Sequence, residues 1–151
     1  SENLTGIELL EDRVAQANKA LPTGVVHVGD ASSAEILPAS QDIVFQSVVF
    51  SSLLEDTFQA KLAIRMWEWV KLGGGVLWYD FIYNNPRNPD VRGVEVKRIR
   101  ELFPYGELIV RRVTLAPPIA RCVCRLHPSL YTALNLFPFL RTHVLCWIQK
   151  S

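Results

Sequence analysis

Two acidic residues near the start of the chain are placed where they can hold a nucleoside. Glu8 closes a short β-forming run, Leu4-Thr-Gly-Ile-Glu8, and Asp30 follows a second one in Val26-His-Val-Gly-Asp-Ala31, with a helical stretch between them. A carboxylate at the C-terminal end of a strand can accept hydrogen bonds from both hydroxyls of a ribose, and this order of features is how an α/β domain grips a ribose and an adenine. Gln46 and Ser47 stand out next, as polar residues inside the apolar run Asp42 to Phe50. Buried polar groups need partners, which makes both candidates for a ligand contact. The segment Tyr83-Asn-Asn-Pro-Arg-Asn-Pro-Asp-Val-Arg92 is longer than a tight turn and lies past the end of a predicted strand, where open α/β sheets bind ligands. Its Tyr83, Asn84, Asn85, Arg87 and Arg92 can hold a polar ligand, or the asparagines and prolines can simply stabilise their own turn.

His143, beside Arg141 and Thr142, is a candidate base, although a lone histidine near a strand end is more often structural. His27 and His127 have no evident catalytic partner. Cys122, Cys124 and Cys146 are an odd number with no second pair to complete a tetrahedral metal site, so buried, reduced thiols are expected and no metal. The sequence assigns no catalytic residue.

These side chains need a scaffold that brings strand ends together. Asn3 to Glu8 reads as a strand, and Leu10, Val14, Ala17 and Leu21 have helical spacing up to a stop at Pro22-Thr-Gly24. Strands follow at Val25 to Val28 and Asp42 to Phe50. The latter is nearly continuous apolar β-former, as a strand covered on both faces requires, though Gln46-Ser47 can already be its closing turn. Ser52 to Leu72 reads as a long helix with Leu54, Phe58, Leu62, Met66 and Trp69 on one face. Ser52 and Glu55 form its capping box, and Leu72-Gly-Gly-Gly75 its stop. A strand at Val76 to Ile82, a helix at Glu95 to Phe103, a strand at Glu107 to Leu115, helical pieces at Pro117 to Leu126 and Ser129 to Leu136, and a last strand at Thr142 to Gln149 complete the pattern. Alternating strands and helices that end in two strands close in sequence predict an α/β fold, a mostly parallel sheet with helices on both faces and one antiparallel C-terminal strand.

Composition bounds the function classes. Hydrophobic residues make up 49% and charged residues 21% of 151, with a net charge of +1, which is globular and gives no electrostatic case for nucleic acid or an anionic membrane. No apolar run reaches the ~18 residues a membrane span needs. One cytoplasmic domain over 1–151 is the expectation.

Three segments together resemble the class I S-adenosylmethionine-dependent methyltransferases from that family's second strand onward: Gly6-Ile-Glu8 before a helix, Gly29-Asp-Ala31, and Asp42-Ile-Val-Phe-Gln-Ser47. Leu72-Gly-Gly-Gly-Val-Leu77 fits the family's approach to its fifth strand. The resemblance implies a Rossmann-like fold with S-adenosylmethionine as cofactor. It implies Glu8 on the ribose with Leu9 beside the adenine, Asp30 and the Ala31 N–H on the adenine edge, and Gln46 and Ser47 at the methionine end. Methyl transfer to a small-molecule acceptor is the implied activity, with Tyr83, Asn84, Asn85, Arg87, Arg92 and His143 as candidates to hold that acceptor.

The chain departs from the family in two ways. The family's first strand, central between the strands at Asn3 and Asp42, and its glycine-rich turn have no counterpart, so an N-terminally incomplete sheet with two open inner edges is expected. Such edges invite strand exchange into a homodimer. In addition, Ser51-Ser52 stands where some small-molecule members carry a histidine pair. A non-catalytic binding or assembly domain is therefore the alternative. A nicotinamide dehydrogenase shares the acidic strand end but suits Gly29-Asp30-Ala31 and the closing antiparallel strand less well.

Overall fold

Short runs of β-branched residues separated by helical spacings give two sets of paired strands. The computed structural model describes residues 3–21 and 25–151 and divides into two compact units, Ser1–Ile36 and Leu37–Ser151. The expected helix stop at Pro22-Thr-Gly24 lies outside the described residues.

In the first unit, β1 (Thr5–Glu8) and β2 (Val25–Val28) pair in parallel around α1 (Glu11–Ala20). Glu11 and Asp12 in the first turn of α1 and Lys19 in its last oppose the helix dipole, and Val14 is its one buried residue. Asn18 makes the helix useful to the sheet. Its side chain donates to the Val26 carbonyl at 2.9 Å and accepts from the Val26 N–H at 2.8 Å, satisfying backbone groups of β2 that no strand pairs.

In the second unit, β3 (Gln41–Ser47), β4 (Val70–Phe81), β6 (Arg141–Gln149) and β5 (Glu107–Leu115) form one sheet in the order β3-β4-β6-β5. β3 and β4 are parallel, while β6 runs antiparallel to both of its neighbours. This is the expected α/β pattern with one antiparallel closing strand. Helices α2 (Asp56–Trp69) and α3 (Val96–Leu102) cover one face, and α4 (Pro117–Leu126) and α5 (Ser129–Asn135) join β5 to β6. The core lies under α2 and α3. Trp78 packs on Phe50 with ring centroids 4.4 Å apart and edge-on to Phe103 at 6.2 Å, among buried Met66, Val76, Ile99, Val144 and Ile148. Among the described residues β1 pairs only with β2, and β3 only with β4.

Four expectations about this unit are corrected. Helix α2 begins at Asp56 instead of Ser52, because Phe50–Ser52 forms a separate 3-10 turn and no side chain caps the helix. It also ends at Trp69, and Gly73 to Gly75 lie inside β4. There Gly74 faces the Asp42 carbonyl and Gly75 faces the Trp147 ring, so small residues serve close strand packing and not a helix stop. The buried face of α2 is Gln59, Leu62, Ala63, Met66 and Trp69, leaving Leu54 and Phe58 exposed. Of the three free thiols only Cys146 is buried, where desolvation pushes it up to about 11. Cys122 and Cys124 are exposed because α4 turns only Ile119, Ala120 and Val123 partly inward.

Candidate functional site

Register decides where the first pair of acids goes. Glu8 is opposite Val28 in the β1/β2 pair, and the Gly29 N–H donates to the Glu8 carbonyl at 3.0 Å, so Glu8 and Asp30 emerge at the same end of two adjacent parallel strands. Each carboxylate already has local work. Glu8 accepts from the Leu10 N–H at 3.1 Å and stands 4.0 Å from Arg13. Asp30 caps the 3-10 turn at Ala31–Ser33, one oxygen accepting from the Ser32 N–H at 2.8 Å and the other from the Ser32 hydroxyl at 2.7 Å. A carboxylate has about four acceptor positions, so Glu8 keeps capacity for a ligand.

A cavity of about 400 Å³ opens beside Asp30, lined by the apolar Ile7, Val28, Ala34 and Ile36 and by His27 and Glu35. Glu8, Leu9 and Ala31 do not line it. Side chains alternate along β1, so Thr5 and Ile7 face this cavity and Glu8 does not. Leu9 is 68% exposed.

In the second unit Gln46 is buried and fully engaged. Its amide donates to the Tyr79 carbonyl at 3.4 Å and accepts from the Val49 N–H at 3.2 Å, which ties the tip of β3 to β4. Ser47 beside it is exposed. The chain then turns through Val48 at φ 57°, a conformation that costs a β-branched residue ~1 to 2 kcal/mol.

That turn delivers Ser51 to Asp80, and a buried polar network follows that the residue pattern alone did not disclose. Asp80 is fully buried, with its carboxylate accepting from the Ser51 N–H at 3.1 Å and the Phe81 N–H at 2.9 Å. Burial raises its pKa against the pull of these hydrogen bonds. Gln59, also fully buried, donates to the Phe50 and Leu53 carbonyls at 3.0 Å and accepts from Arg98 at 3.1 Å. Arg98 reaches the Asp56 carbonyl at 3.0 Å, and Arg92 pairs with the Asp56 carboxylate, whose pKa is lowered chiefly by that hydrogen bond and charge. The only advance signal was Asp80, a charged residue inside the otherwise apolar run Val76 to Ile82.

The network braces a cavity of about 490 Å³ between the N-terminal ends of α2 and α3 and the loop after β4. Of the loop residues, Tyr83, Asn84 and Arg92 line it, together with Lys97 and Glu95. Asn84 accepts from the Gly93 N–H at 2.9 Å, and the Tyr83 hydroxyl accepts from Arg112 at 3.2 Å, leaving its own proton free to be donated. Asn85 and Arg87 are not in it. Asn85 accepts from the Arg87 N–H at 3.1 Å and Asn88 from the Asp90 N–H at 3.1 Å, two side-chain turns that hold the loop tip in shape.

His143 is elsewhere. Its ring stacks on Tyr79 at 5.2 Å and meets Phe81 edge-on at 5.9 Å, with Nδ1 3.1 Å from the Thr142 hydroxyl. Desolvation lowers its pKa, so the ring is held neutral as a packing element. No group of three or more His, Cys, Asp or Glu able to hold a metal occurs among the described residues.

No protein-family model and no curated protein matches the chain. Solved structures do. A S-adenosylmethionine-dependent methyltransferase from Methanosarcina mazei aligns over 96% of this chain and 81% of its own, with TM-score 0.66 at 12% identity. One from Archaeoglobus fulgidus aligns over 96% and 75%, with TM-score 0.67 at 13% identity. Phosphoethanolamine N-methyltransferase 2 from Haemonchus contortus, solved with S-adenosyl-L-methionine, aligns over 99% of this chain and 44% of its own, with TM-score 0.66 at 17% identity. At such identities the likeness is one of fold.

Proposed function

We propose that this chain, which has the fold of the class I S-adenosylmethionine-dependent methyltransferases, transfers a methyl group from S-adenosylmethionine to a small polar acceptor. The observation that carries the reading is the β1/β2 register, which sets Glu8 and Asp30 at the same end of two adjacent strands. Glu8 takes the ribose hydroxyls. Asp30 takes the adenine amino group, with the Ala31 N–H as the complementary donor.

S-adenosylmethionine supplies an activated methyl group on a sulfonium, so the protein's task is alignment and exclusion of water. In the second unit Tyr83, Asn84 and Arg92 line the larger cavity, which suits an acceptor bearing oxygen atoms. No base is assigned: His143, in its aromatic stack, does not line that cavity.

Titrating S-adenosylhomocysteine into the protein tests the reading. A dissociation constant on the order of micromolar is expected, and no heat with millimolar ligand overturns it.

The open edges of β1 and β3 favour a second reading, an assembly domain that exchanges strands with another copy. Light scattering separates the two: twice the 17.1 kDa chain mass together with no ligand binding would favour assembly.

A further inference from the structure

We infer that the surface formed by α4, α5 and the turn after them docks on an anionic lipid bilayer. A total charge of +1 conceals how the charge is distributed. After Glu107 the chain has no acidic residue to its last position, yet it carries Arg111, Arg112, Arg121, Arg125, Arg141 and Lys150, so the first 107 residues hold a net charge of −5 and the rest +6.

Two of these six, Arg121 and Arg125, lie on the helices between β5 and β6, beside unburied apolar surface. None of the residues of α4 or α5 is buried. On α4 the half-buried Ile119 and Val123 face inward at four-residue spacing, Arg121 and Arg125 form a stripe that faces out, and Leu126 is exposed at the helix end. Leu126 is 76% exposed, and Leu136 and Phe139 beyond α5 are 71% and 72% exposed. Phe137 packs on Phe139 with centroids 5.7 Å apart, so these rings form one patch. Arg141 is the fastener beneath them, donating to the Asn135 carbonyl at 2.7 Å and the Arg112 carbonyl at 2.9 Å. Arg121 and Arg125 form no ion pair among the described residues; Arg121 donates only to the Pro117 carbonyl one turn back.

A surface that sets arginines beside large exposed apolar side chains lies at a bilayer interface, its cations on lipid phosphates and its apolar side chains among the acyl chains. No helix of the described residues is long and apolar enough to cross a membrane, so the contact is peripheral. A second copy of the same patch would bring like charges together. Nucleic acid would use the arginines but not the aliphatic Leu126 and Leu136.

Co-sedimentation of the full chain with vesicles tests this independently of any methyl transfer. Binding is expected to vesicles of phosphatidylcholine mixed with phosphatidylglycerol, at least about tenfold weaker to phosphatidylcholine alone, and reversed by salt. The pair Arg121→Glu and Arg125→Glu, and separately Phe137→Ser with Phe139→Ser, should each weaken it by about tenfold while leaving the melting temperature unchanged. Absence of vesicle binding at low salt overturns the proposal, as does equal binding to both compositions, both readable on the unmutated protein. Tighter binding to duplex DNA than to vesicles, indifferent to the phenylalanine pair, also overturns it. So does a dimer in light scattering that the same variants dissociate.

Discussion

Glu8 and Asp30 share a strand end but differ in how much of the fold depends on them. Glu8→Ala removes one exposed contact with Leu10, whereas Asp30→Ala removes the cap of a 3-10 turn, worth ~1 kcal/mol. Both substitutions are expected to weaken S-adenosylhomocysteine about tenfold or more, the value of one hydrogen bond to a charged group. Only Asp30→Ala should also lower the melting temperature; calorimetric titration and thermal melts read the two effects apart. Asp80 obeys a different rule. Its carboxyl is raised by burial, so it binds a proton more tightly folded than unfolded. Its stabilising contribution is whole below the ordinary value of 3.8 and is lost as the pH rises through the higher folded value. Asp80→Asn should remove that part of the slope in denaturant melts taken across the acid range. At neutral pH it should cost ~1 to 3 kcal/mol, because an amide has one oxygen where two backbone N–H groups need acceptors. The acids at strand ends were legible as residues because their neighbours in sequence announce them. Asp80 and Gln59 were not, since their partners Ser51 and Arg98 are 29 and 39 positions away.

Most of the strands and short helices were legible to within a residue or two, β5 and α4 at both ends, because side-chain period and proline placement act locally. The misreadings cluster around α2. A capping box at Ser52 and a glycine stop at Gly73 are reasonable local signals, but a 3-10 turn took the first, and β4 started early and absorbed the second. Pairing outweighed propensity there: β4 extends to Val70 because Gln41 of β3 pairs with it, and β6 packs Trp147 across Gly75. Gly75→Ala tests this account. An added Cβ would sit 2.6 Å from a Trp147 ring carbon and 2.8 Å from the Ile148 carbonyl oxygen, so a loss of ~1 to 3 kcal/mol is expected in chemical denaturation. If these glycines merely ended a helix, the substitution would be far milder.

Taken together, the chain is two compact units in which a near-neutral sum hides an acidic first part and a purely basic last part. If the nucleoside reading is right, a ligand bound only to the folded protein must stabilise it. S-adenosylhomocysteine at a hundredfold excess over its dissociation constant should add ~2.7 kcal/mol, seen as a raised melting temperature in calorimetry. An unrelated nucleoside at the same concentration should add much less.

The residue pattern alone specified the α/β class, the antiparallel closing strand and the acids at two neighbouring strand ends, because these follow from the side-chain alternation and turn residues of short segments. Only the folded chain decided that Tyr83, Asn84 and Arg92 line a cavity while Asn85 and Arg87 close a turn, that His143 is a stacked neutral ring, and that α4 faces outward. Those outcomes depend on which distant backbone groups and side chains arrive at each position, and no local window of sequence contains that information.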